Sequence, residues 1–142
     1  MSNRESIAEN IVSTLTAASS TFKLVTREPF EFDKLSNAQF PAALIRSANE
    51  NREDTTIGGS LTTRAATIDY QIVCYVKSKA IDTARNEIIE LVEELMDSDR
   101  TRGGYALDTQ IISIDTDDGS IDPVGGVIIT VRCIYHFTRG AV

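Results

Sequence analysis

Three consecutive stretches decide the fold: Ile68–Val76 (IDYQIVCYV), Asp82–Met96 (DTARNEIIELVEELM) and Leu107–Ile114 (LDTQIISI). In the first, Ile68, Tyr70, Ile72, Cys74 and Val76 alternate with Asp69, Gln71, Val73 and Tyr75, which is the period of a strand. In the second, Ala84, Ile88, Leu91, Val92 and Leu95 recur at helical spacing and form one apolar stripe. Glu87, Glu90, Glu93 and Glu94 fill the remaining surface. Asp82 is placed to cap the first turn, and Asp97–Arg100 with Gly103-Gly104 ends the helix. At 1.5 Å per residue such a helix is about 22 Å long, enough to cross several strands. The passage reads as β–α–β, with the helix a lid on a sheet.

Upstream, Ile7, Ile11 and Leu15, with Ala8 and Ala18, mark one face of a helix over Arg4–Ala18, and Ser2 with Glu5 has the capping-box pattern. A short strand Phe22–Arg27 stops at Glu28-Pro29. Pro29–Gln39 carries Phe30, Phe32 and Leu35 among charges and reads as an ordered loop, followed by a strand Pro41–Arg46. The segment Asn49–Thr56, closed by Gly58-Gly59, has almost nothing to bury. It is expected to be a mobile loop or the tip of a long hairpin; a solvated turn and an arm that orders against a partner both remain open.

The strand Leu61–Lys77 starts beyond it. The last strand, Gly126–Thr138, places Val127, Ile129, Val131, Cys133, Tyr135 and Phe137 on one side, with Ile128, Thr130, Arg132, Ile134 and His136 on the other. The expected architecture is α+β: a single domain, 1–142, in the order α-β-β-β-α-β-β. Its mostly antiparallel sheet carries two helices on one face and a hairpin arm with a mobile tip at 49–59. Two helices cover one face; the second, half polar and half Val/Ile/Tyr, reads as a surface for another chain.

The balance of 21 acidic against 14 basic residues, net charge −7, argues against a dedicated nucleic-acid binder, which needs a basic footprint. The polar start Met1–Glu5 has no signal-peptide character, and the longest apolar run, around Val127–Val131, is far short of a membrane span. A soluble protein, intracellular where it is made, is expected.

Cys74 and Cys133 lie on core parity and read as buried thiols rather than a disulfide, and two cysteines without a histidine cluster make no zinc site. The acidic turn Asp115–Asp122 fails the calcium-loop pattern: Gly119 is one place early, and the twelfth position is Gly126 instead of glutamate. The one histidine, His136, has no nucleophile at a suggestive spacing. Gly58-Gly59, Gly103-Gly104 and Gly125-Gly126 read as turn doublets and match no phosphate-binding fingerprint. No catalytic, cofactor or metal residue is assigned, and the expectation is a protein that is not an enzyme.

The order of elements carries a resemblance. A capped helix is followed by a short strand, then Phe40-Pro41-Ala42-Ala43-Leu44-Ile45 and a long polar hairpin tip. Next come Tyr70–Val76, the acidic helix Ala84–Met96 and a closing pair ending Val131–Phe137. This pattern, over nearly the whole chain, resembles the tail terminator (tail completion) proteins of tailed bacteriophages, a family without a short diagnostic motif. The resemblance implies a homo-oligomeric, typically sixfold ring on the last ring of the tail tube, made in the host bacterial cytoplasm and placed in the virion at the head–tail junction. Its partners would be the tube protein and a head-completion or neck protein. A ring needs two different fitting surfaces on each subunit. Val73, Tyr75, Ile128 and Ile134 on the mixed face, and Arg52, Glu53 and Asp54 of the arm, are the candidate contacts. The alternatives are a head-completion or neck connector, and a ferredoxin-like small-molecule-binding regulatory domain, which would need a pocket with converging polar groups.

Overall fold

The computed structural model describes residues 3–18, 21–54, 63–117 and 124–138. Helix α1 (Asn3–Thr16) leads to the short strand β1 (Leu24–Thr26), then to β2 (Ala42–Asp54) and β3 (Thr63–Lys77). Helix α2 (Ile81–Ser98), β4 (Asp108–Thr116) and β5 (Val124–Thr138) complete the chain. The five strands form one sheet in the order β1-β2-β3-β5-β4, antiparallel except for the parallel β1–β2 pair. This is the α+β order expected from the hydrophobic pattern.

Strand parity places the core. Ile68, Tyr70, Ile72, Cys74 and Val76 of β3, with Val127, Ile129, Val131, Cys133 and Tyr135 of β5, are buried against the helices. From above, α1 supplies Ile7, Ala8, Ile11 and Leu15, and α2 supplies Ile88, Val92 and Met96. Each large aliphatic side chain buried in this way contributes roughly 1.5–3 kcal/mol against the ordering entropy. Tyr70 is fully buried, so its hydroxyl needs a partner; it donates to the Arg4 carbonyl at 2.8 Å, tying α1 to the sheet.

Several local expectations are corrected. The N-cap of α2 is Ala80, not Asp82; the chain turns at Ser78, whose hydroxyl accepts from the Ala80 amide at 3.1 Å. Asp82 lies inside the first turn, 3.6 Å from Arg85. Glu5 is bidentate to Arg27, at 2.5 and 3.1 Å; the Ser2 half of its capping box lies outside the described residues.

Strand β2 does not end at Arg46. It continues to Asp54 through a bulge at Ser47–Glu50, because the backbone of β3 offers pairing partners even to polar residues. Asn49–Asp54 is therefore strand; the tip beyond it, with Gly58-Gly59, lies outside the described residues. Gly125-Gly126 is not a turn but part of β5, paired with Val76 and Tyr75. A side chain at Gly125 would collide with Ile81 at the start of α2, and one at Gly126 would crowd the Asp117 carboxylate and the Tyr75 ring. The doublet is where two other elements press on the strand. Gly103 and Gly104, at φ 71° and 93°, are in a turn as expected.

Candidate interaction surfaces

The second face of the sheet is built in rungs that alternate in character. Leu44, Val73 and Ile128 make an apolar rung, and Arg46, Gln71 and Thr130 a polar one beside it. The Arg46 Nε donates to Gln71 Oε1 at 2.7 Å. Further along, Arg132 grips Asp69 with two bonds, at 2.9 and 3.2 Å. The next rung sets Ile134 between Thr67 and Asp108.

The chain covers part of this face itself. In the loop between β1 and β2, Phe32 stacks on Tyr75 at 5.3 Å and Phe30 meets it edge-on at 5.8 Å. Asn37 accepts from Lys77 Nζ at 2.7 Å, and Ser36 and Gln39 form a capping box within the loop. Of the four residues assigned to a partner face, Val73 is only 5% exposed and Tyr75 lies against the two phenylalanines. Ile128 and Ile134 are half-buried and remain on the part nearer β4. Phe30 and Phe32 escaped assignment because aromatics in a charged loop have no period to betray their direction.

The outer half of β2 meets the start of α1 through Glu50. Glu50 accepts from Arg52 Nε at 2.5 Å and from the Tyr135 hydroxyl at 3.2 Å, with Arg4 3.8 Å away. Arg52 is thus joined to its own strand, and the Glu50 pairing strengthens its hold on the proton. The side chains of Glu53 and Asp54 lie outside the described residues.

The remaining sites are quickly placed. His136 is exposed, and its carbonyl accepts from Asn3 Nδ2 at 3.4 Å. Of the acidic turn, Asp115 and Thr116 are the end of β4 and not turn. Asp117 receives Arg85 Nη1 at 3.2 Å and the Gly126 amide, so it links α2 to the β4–β5 connection; residues 118–122 lie outside the described residues. Among the described residues no three His, Cys, Asp or Glu side chains gather as a metal site. Cys74 and Cys133 are buried free thiols. They stand opposite Val127 and Ile68 respectively, several rungs apart.

A groove of about 730 Å³ runs beside α2, with Phe40, Val76, Ile88 and Leu91 among its apolar walls and both lysines and glutamates at its rim. A second, of about 510 Å³, lies between α2 and β4. A residue with no forewarning in the sequence is Arg102, fully buried at φ 50°. Its Nη2 donates to the carbonyls of Met96 (2.7 Å) and Asp99, closing the C-terminal end of α2. Compared with protein-family models and with curated proteins, the sequence matches none of them.

Proposed function

We propose that this protein is a bacteriophage tail terminator: a structural subunit that assembles as a ring on the tail tube, ends tube growth and presents a docking surface to the head. The observation that carries the reading is the order of elements with the long β2–β3 hairpin, the pattern on which the resemblance rests. The half-buried Ile128 and Ile134, beside polar rungs, support a face that meets another protein. The outer half of β2, where Arg46–Asn49 and Asn51 are exposed, supports a second and different contact surface, as a head-to-tail ring requires.

The test is assembly. Mass photometry at rising concentration, and electron microscopy with purified tail tubes, should give rings that sit on tube ends and tubes that stop growing. A protein that stays monomeric at every concentration and leaves tube length unchanged overturns the reading. Rings that bind heads but ignore tubes would favour a neck connector instead. The groove beside α2 favours one further reading, a small-molecule-binding domain. Its rim mixes Lys77 and Lys79 with Glu87, Glu90 and Glu94, and these charges do not converge on one ligand charge.

A further inference from the structure

Strand β4 is the last strand of the sheet, and among the described residues none pairs with its outer edge. An edge of this kind presents a row of unpaired amides and carbonyls, which only an extended backbone satisfies. Two isoleucines stand on it exposed, Ile112 at 40% and Ile114 at 38%. The groove beside it has the β4 backbone on one side and Glu93 and Asp97, one helical turn apart, on the other. Arg100 also lines it, but its guanidinium is bidentate to Asp108 at 2.7 and 3.0 Å, so the carboxylates of α2 keep the excess.

We propose that the β4 edge is a strand-addition site for a short extended segment of another protein, in which apolar residues alternate with lysine or arginine. The backbone edge requires the strand conformation, Ile112 and Ile114 the apolar residues, and Glu93 and Asp97 the basic ones. A second copy paired edge to edge is disfavoured, because each copy would bring the same excess of carboxylates, Glu93 and Asp97, beside its edge. The bulge between Ile111 and Ser113 interrupts the ladder, which keeps the added segment short. This holds whether or not the protein caps a tail tube.

The probe is a capped, fluorescently labelled eight-residue peptide alternating lysine with valine, followed by anisotropy and by amide exchange on the intact chain. Binding should slow exchange in β4, and I114K should weaken it by roughly tenfold, about 1.4 kcal/mol. Since Ile114 is on an exposed edge, that variant keeps its fold, which its thermal melt verifies. A peptide N-methylated at alternate residues keeps the charge and loses the backbone donors; it should not bind. Equal binding of the methylated peptide, or protection confined to other elements, overturns the proposal. So does a dimer that forms without peptide and is abolished by I114K, because the edge would then belong to a second copy.

Discussion

Arg102 holds a guanidinium where solvent does not reach; its Nη2 donates to backbone carbonyls and its Nη1 to Met96 Sδ at 3.5 Å. Burial lowers its pKa, so the charge is kept at a cost that the helix-end carbonyls offset. R102M keeps apolar bulk but strands those carbonyls; it should lower stability by roughly 1–3 kcal/mol, read as a shift in urea midpoint. No sequence signal marks this arginine, because its neighbours Thr101 and Gly103-Gly104 make it look like one more turn residue. The cysteines, by contrast, were legible from parity alone. Burial pushes the Cys74 thiol from its ordinary value of 9.0 up to about 12, and Cys133 moves the same way. The folded state therefore holds these protons more tightly than the unfolded chain. Their contribution to stability is complete below pH 9 and is lost as the pH rises from about 9 towards 12. Both thiols should react slowly with a thiol reagent at neutral pH, and C74A should flatten the alkaline fall in stability. Fast labelling of the native protein would mean that these strands open readily.

The helices and the inner strands were readable at the level of elements, because burying one face imposes a period on the sequence. The outer half of β2 was not. Asn49–Asp54 is poor in strand-forming residues and is held by pairing with β3, an influence from elsewhere in the chain. Glu50 is the joint that anchors this half through Tyr135 and Arg52, so E50A should cost roughly 1–2 kcal/mol and speed amide exchange across Glu50–Arg52. Gly125 hides its role for a related reason: a glycine pair signals a turn unless a helix is known to start above it. G125A should destabilise by roughly 1–3 kcal/mol, since the added methyl must displace Ile81. If its melting temperature equals that of the parent, α2 is not seated on β5 as described.

Over the whole molecule, a net charge of −7 works against any assembly of identical copies. The Debye length is about 10 Å at 0.1 M salt, so added salt should promote ring formation, whereas it should weaken capture of a basic strand at β4. Mass photometry and peptide titration across the same salt series would separate the two surfaces. The fold was legible because the sheet's inner face is written in alternation; the interaction surfaces were less so, because the chain folds its own loop over Tyr75 and, among the described residues, leaves a different edge unpaired. At Gly125-Gly126 the sheet has another property. Strand β5 carries no side chain there on either face, so Ile81 approaches from above and Tyr75 from below, with only main chain between. The partition is one peptide thick. A load that shifts Phe30 and Phe32 on Tyr75 thus meets a single layer of backbone before the first turn of α2, so a push on one side of the sheet has little side-chain cushion to absorb it before it reaches the other.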